Sequence, residues 1–204
     1  LRRYSDKTIE SYENIVSKEQ IGFNSQELRN YLPFQNVKKG VLNITEKLFG
    51  LSYKKVKSAV WHKEVGAYDV YQNKKIIGRF YLDLNPREGK YGHAACFDIR
   101  PGITGIQLPE AALICNFSKK LLSHGEVTTF LHEFGHLIHF ILSGNQKWAR
   151  FNGFGAEWDF VEAPSQMLEA WAYDYETLKG FARHYKSNRP IPKKLVTQMQ
   201  KADK

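Results

Sequence analysis

His132 and His136 stand four residues apart in "TTFLHEFGHLIHFILSG", Thr128 to Gly144, and Glu133 directly follows the first of them. On a helix, residues i and i+4 are neighbours with Cβ atoms about 5 to 6 Å apart, so both imidazoles can reach one ion at Zn–N distances of about 2.0 to 2.1 Å. A catalytic zinc takes a third protein ligand and leaves one coordination position to water, whose pKa the metal lowers toward about 7. Glu133 projects from a neighbouring part of the same helix and is placed to take that water's proton. His139 lies three residues beyond His136 on the same side. It is either an alternative ligand or a packed, hydrogen-bonded side chain.

The third ligand must come from a different element. In "GAEWDFVEAPSQMLEAWAYDYE" the apolar residues Phe160, Val161, Met167, Leu168, Trp171 and Tyr175 describe a second helix, with Glu162 and Glu169 seven residues apart on nearly one face. One reading makes Asp159 an N-cap with Glu162 reaching back as in a capping box, and puts Glu169 on the surface. Pro164 opposes it, because proline is comfortable only in a helix's first turn, which moves the cap to Val161–Ala163. Glu162 is therefore the candidate ligand, and Glu169 the candidate carboxylate behind a ligating histidine. Gly135 sits inside the histidine helix, where glycine costs about 1 kcal/mol relative to alanine. Its use predicts a second backbone passing close to that face, that of the Glu162 helix.

These helices need elements to position them. From Ser25 to Leu48 the spacing of Leu28, Tyr31, Leu32, Val37, Val41, Leu42, Ile44 and Leu48 suits short helices ending near Gly50. "AYDVYQNKKIIGRFYLDL" then alternates, with polar "QNKK" between two β-rich runs, and predicts a hairpin in which Phe80, Leu82 and Leu84 share a face opposite Arg79, Tyr81 and Asp83. "NPREGKYG" reads as a loop, and "HAACFDI" and "EAALICNF" as two further strands. From Gly125 the pattern is helical to about Lys186, interrupted around "SGNQKWARFNGFG", with another helix after Pro192. The chain is α+β and helix-rich, read as a single unit: 1–50 helical, 51–117 a small and mainly antiparallel sheet, 118–204 the helices of the candidate metal site.

Composition bounds the alternatives. With 204 residues and 42% hydrophobic content, the chain buries one core or two small ones. No apolar run approaches the length needed to span a bilayer, and "LRRYSDKTIESYE" lacks the apolar stretch of a secretory signal, so a soluble protein with no membrane partner is expected. The first residue is Leu1 rather than Met, which suggests an excised piece of a longer polypeptide. Cys96 and Cys115 sit in apolar segments and read as buried thiols of a reducing, cytoplasmic compartment. The net charge of +9 is spread over many lysines without a dense block. It reads as a solvated surface, and no nucleic-acid motif accompanies it.

"FLHEFGHLIH" followed by "DFVEAPSQMLE" resembles the M3 family of zinc metallopeptidases, and "FYLDLNPREGKYGHAACF" is most similar to its thimet oligopeptidase, neurolysin and oligopeptidase A branch. The likeness runs from about Leu32 to Lys194. It implies a zincin-like, mostly helical fold with a small sheet along a deep channel, and cleavage of short peptides at internal bonds. It also implies one zinc ion held by His132, His136 and Glu162, with Glu133 as general base and Glu169 behind the ligands. The strand "EAALICNF" would then pair with extended substrate, making Ala112 and Cys115 contacts within Ala112 to Asn116. Gly92 and His93, in the matching loop, are either contacts or structural; Tyr91 and Arg87 read as structural.

Two departures stand out. "HGEVTT" replaces the relatives' "HDEVET", so Gly125 and Thr128 stand where two acids would affect the helix cap and local field. The family's substrate-gripping His and Tyr residues lie beyond the last matching segment, and its long N-terminal helical wall is also missing. An oxyanion donor contributes about 2.7 to 4 kcal/mol, so the isolated chain is expected to be a weak or inactive peptidase that needs the remaining segments of its parent polypeptide. The contrasting expectation is a non-catalytic scaffold whose fourth metal position is closed by a side chain such as His139.

Overall fold

A computed structural model describes residues 22–203. The part of the helical reading that falls on residues 1–21 lies outside the described residues.

The chain first forms α1 (Ser25–Arg29), capped by the Asn24 side chain, and then α2 (Phe34–Phe49). Gly50 stops α2 at φ 63°, and its N–H returns to the Glu46 carbonyl. Only a residue without a Cβ adopts this left-handed conformation cheaply. Phe34, Val37 and Val41 form the buried stripe of α2, and Gly40 lets the Phe181 ring lie directly on its backbone.

The sheet follows: β1 (Leu51–Val56), β2 (Gly66–Gln72), β3 (Lys75–Asp83), β4 (Ala95–Arg100) and β5 (Glu110–Ile114), in spatial order β1-β2-β3-β5-β4. Every pairing is antiparallel except β3 with β5. The β2–β3 hairpin closes over Asn73 and Lys74, both at positive φ, which suits a two-residue turn matched to strand twist. Phe80, Leu82 and Leu84 enter the main core, while Tyr81 packs on the opposite face with Val65, Ala67 and Ala112.

Helix α3 (His124–Leu142) lies across the core face of this sheet, in contact with β3, β4 and β5. Phe80 of the sheet meets Phe134 of the helix edge-on at 5.6 Å, and Tyr53 closes on both rings. Aromatic packing of this kind adds about 0.5 to 1.5 kcal/mol per pair beyond burial. The N-terminus of α3 is closed by Ser123, whose hydroxyl accepts from Glu126 N at 3.2 Å while Glu126 Oε2 accepts from Ser123 N at 2.7 Å. This capping box satisfies the cap without an acid at position 125 or 128.

After α3 come a 3₁₀ turn (Ala149–Phe151), α4 (Trp158–Val161), α5 (Ala163–Glu169), a second 3₁₀ turn (Ala170–Ala172), α6 (Tyr175–Phe181) and α7 (Lys193–Ala202). Two details differ from the sequence reading. The helix holding Glu162 is broken at Glu162 itself, which ends α4 and caps α5, with Pro164 in the first turn of α5. The helical pattern also ends at Phe181 rather than Lys186. Ala182 is extended and Arg183 bridges to Pro190 around a turn in which Asn188 has φ 56°.

Candidate metal and catalytic site

Helix α3 presents His132 and His136 one turn apart, their rings 4.9 Å between centroids and nearly perpendicular. Helix α5 crosses α3 at Gly135. A Cβ there would lie 2.6 Å from Ser165 Cα and 2.8 Å from Pro164 O, so glycine is what permits the crossing. The result is that Glu162, at the junction of α4 and α5, faces both histidines.

The distances are specific. Glu162 Oε2 lies 3.3 Å from His132 Nε2 and 3.2 Å from His136 Nε2. These three side chains form the one His/Cys/Asp/Glu group found among the described residues that is compact enough to hold a metal ion. Direct hydrogen bonds between imidazole and carboxylate would run about 2.7 to 2.9 Å. Two donors about 2.0 to 2.1 Å from a tetrahedral ion stand about 3.3 Å apart. The donor set therefore fits zinc in spacing as well as in chemistry.

Each donor is held differently. His132 Nδ1 lies 2.5 Å from Glu169 Oε1. A carboxylate accepts, so Nδ1 carries the proton and the Nε2 lone pair is free to face Glu162 and an ion. His136 is held by packing against Phe154, 6.0 Å between rings, and its buried Nδ1 has no hydrogen-bond partner among the described residues. Burial lowers the His136 pKa, against the pull of Glu162. Ser165 is fully buried, with its hydroxyl 2.8 Å from both Glu162 Oε2 and the Glu162 carbonyl. Burial raises the Glu133 carboxyl above its ordinary range, with Glu162 adding to the rise, while His132 and the backbone amide of Cys96 oppose it. A raised carboxylate pKa favours taking up a proton near neutrality.

A cleft of about 580 Å³ opens beside Glu133, lined by His124, Thr128, Thr129, His132, Glu169 and Tyr173 among others. Gly125 and Thr128, the two departures noted above, both lie on its wall. His124 Nε2 is 2.9 Å from the Ala172 carbonyl and ties the start of α3 to the segment after Glu169.

His132, Glu133, His136, Glu162 and Glu169 thus converge. His139 does not join the cluster: its ring faces Phe160 at 6.2 Å and its buried Nδ1 has no hydrogen-bond partner among the described residues. The reading of Ala112 and Cys115 as contacts on a strand edge is corrected. β5 is paired on both sides, by β3 and β4, and Ala112 and Cys115 are 4% and 0% exposed. The sheet edge beside α3 is β4, Ala95–Arg100, because the segment written before β5 folds onto its outer side. Gly92 and His93 are exposed on the approach to that edge, with the His93 ring 5.6 Å from Tyr91. Arg87 is paired with Asp83 through both terminal guanidinium nitrogens, which suits a structural role. Sequence reasoning missed Ser165, His124 and the Cys96 amide. Of these only Ser165 left a local sign, standing one helical turn after Glu162.

A helix offering two imidazoles and a glutamate between them, crossed by a second helix offering a carboxylate, is a donor arrangement suited to a metallopeptidase. The model of peptidase family M3 matches residues 9–204, and the chain belongs to that family. It is 39% identical to saccharolysin of Saccharomyces cerevisiae over 93% of this chain and 29% of that protein. It is 37% identical to a thimet-like oligopeptidase of Dictyostelium discoideum, over 92% of this chain and 30% of that protein. To oligopeptidase A of Escherichia coli it is 35% identical, over 85% and 27% respectively. The chain thus spans less than a third of the length of these relatives.

Proposed function

We propose that this chain carries the catalytic centre of a zinc-dependent oligopeptidase that hydrolyses internal bonds of short peptides. The reading rests on one observation: Glu162 Oε2 at 3.2 and 3.3 Å from two Nε2 atoms, with Glu133 alongside. His132, His136 and Glu162 would hold one zinc ion, which when bound polarises a peptide carbonyl and acidifies water. Glu133 takes the proton from the attacking water and returns it to the departing amine, a role suited by its raised pKa. Glu169 fixes the His132 ring, and Ser165 restrains the Glu162 carboxylate. The edge of β4, unpaired among the described residues, is the element to which an extended peptide adds, through backbone hydrogen bonds that make little demand on its sequence.

The isolated chain is a weak peptidase at best in this reading, since the two relatives named as oligopeptidases are more than three times as long as the part it matches. The remaining segments of a longer polypeptide are its partners. We place it in the cytoplasm on its two free cysteines. No helix among the described residues is long and apolar enough to cross a membrane.

Metal analysis tests the proposal. The chain as purified, reconstituted with zinc and desalted, should hold one zinc per chain. Glu162→Gln should lose it, and Glu133→Gln should keep it while abolishing whatever peptide hydrolysis the chain has. Zinc retained at full stoichiometry in Glu162→Gln would remove the ligand assignment.

A further inference from the structure

The loop from Leu84 to Ala94 joins β3 to β4, and two side chains hold it from inside. The Lys90 side chain is 3% exposed, and its ammonium reaches the carbonyl oxygens of Asp83 at 2.9 Å, Asn85 at 2.8 Å and Cys115, with Asp83 Oδ1 at 3.0 Å. An ammonium has three donors, and all find acceptors here. Asn116 donates from Nδ2 to the carbonyl oxygens of Tyr91 at 2.9 Å and His93 at 3.2 Å.

The acceptors belong to specific places. Asp83 is the last residue of β3, Cys115 follows the last residue of β5, and these are parallel neighbours in which Cys115 N donates to Asp83 O at 2.8 Å. One buried charge therefore ties two strand ends to the loop that leaves one of them. A buried ammonium left unpaired is strongly penalised, so the loop has one path that satisfies Lys90. Asn116, next along from Cys115, grips the same loop at residues 91 and 93. Immediately downstream Ala95 pairs with Ile114 and Cys96 with Leu113, and β4 comes to lie against α3, the helix that carries Glu133.

We propose that Lys90 and Asn116 are positioning residues for the base: by locking residues 90–94 onto the ends of β3 and β5 they set the path of β4, and β4 packs against the helix that carries Glu133 and the histidines. Neither residue touches substrate or metal; both act through the strand. The inference rests on Glu133 being the base of the peptidase reading above.

Backbone amide exchange followed by NMR on the full 204-residue chain tests it, with Lys90→Met and Asn116→Ala compared with wild type. In Lys90→Met the Cys96 amide should exchange about tenfold faster or more, the factor expected when hydrogen bonds to a charged group are lost. Amides of β1 and β2 should keep their rates, and zinc stoichiometry should be unchanged. Asn116→Ala should give the same pattern at about threefold to fivefold, as suits neutral hydrogen bonds. Residual hydrolysis of a quenched fluorescent peptide should fall in kcat with KM nearly constant. Cys96 exchange that stays at the wild-type rate, or that rises equally throughout the sheet, overturns the proposal. Should Lys90→Met fail to fold, Asn116→Ala decides by the same criterion. A wild-type chain that binds no zinc refutes the peptidase reading but leaves the exchange result to judge the clamp separately.

Discussion

Glu169 Oε1 lies 2.5 Å from His132 Nδ1, so a carboxylate 37 positions away fixes the ring whose other nitrogen faces Glu162. Removing it should loosen the ring without deleting a donor. Glu169→Ala is expected to weaken zinc binding about 10-fold to 100-fold, and Glu169→Gln, which keeps an acceptor oxygen, by less. Competition against a chromogenic chelator measures this. Wild-type affinity in Glu169→Ala would mean that His132 is oriented by packing alone.

Glycine replacements at two positions of α3 should have opposite signs. In an open helix Gly→Ala gains about 1 kcal/mol. Nothing lies within 4 Å of a Cβ at Gly125, so Gly125→Ala should stabilise by up to about that amount. At Gly135 the added methyl would meet the Ser165 and Pro164 backbone, which cannot rotate away, and the cost of about 1 to 3 kcal/mol or more outweighs the gain. Thermal unfolding of the metal-free variants should show a rise for one and a fall of several degrees for the other. Two shifts of the same sign would contradict the close crossing of α5 over α3.

Asp83 is buried at the end of β3. Burial disfavours its charge, but hydrogen bonds from Arg87, Trp61 and Lys90 outweigh that and bring its pKa down to about 2. A carboxyl depressed on folding stabilises the protein above its unfolded pKa of about 3.9 and loses that contribution as pH falls through the folded value. Stability should therefore drop between about pH 4 and pH 2, by on the order of 2 kcal/mol from this group. Asp83→Asn should flatten the slope in that window. It should also cost about 3 to 5 kcal/mol at pH 7, because it leaves the buried Lys90 short of its counter-charge. Denaturant unfolding from pH 2 to 7 reads both, and parallel curves for the two proteins would refute the linkage.

The Ser123 cap carries a smaller effect. Ser123→Ala removes the acceptor for Glu126 N and should cost about 1 kcal/mol. Because the cap lies about two and a half turns from His132, zinc affinity should change little. A large loss of zinc binding in this variant would show that fraying reaches the site.

Much of the site was legible because its rules are local. The i, i+4 spacing of His132 and His136, the exclusion of Pro164 from a helix interior, and the cost of Gly135 each act within a turn or two of chain. Together they singled out the donor helix, the cap near Glu162 and the close crossing. The hairpin was equally plain, since alternation and the polar turn at Asn73 and Lys74 are written in neighbouring residues. The error at Ala112 and Cys115 had a different source. Whether a strand lies at an edge depends on which other strands find it, and β4 joins β5 through a long loop with no periodic signal. The partners of Lys90, Asn116, His124 and Cys96 were hidden for the same reason.

By itself the sequence determined the chemical inventory: two imidazoles and a glutamate between them on one helix, two carboxylates beyond it, strands of alternating polarity, and the family those motifs resemble. Only the tertiary structure decided that Glu162 bisects the histidines, that Glu169 stands behind His132 and not His136, and that β4 is the edge strand beside the histidine helix. Helical and strand periodicity come from backbone geometry repeated every few residues. Convergence of side chains distant in sequence depends on how the helices and the sheet pack over Phe80 and Phe134, a property of the assembled core that no short stretch contains.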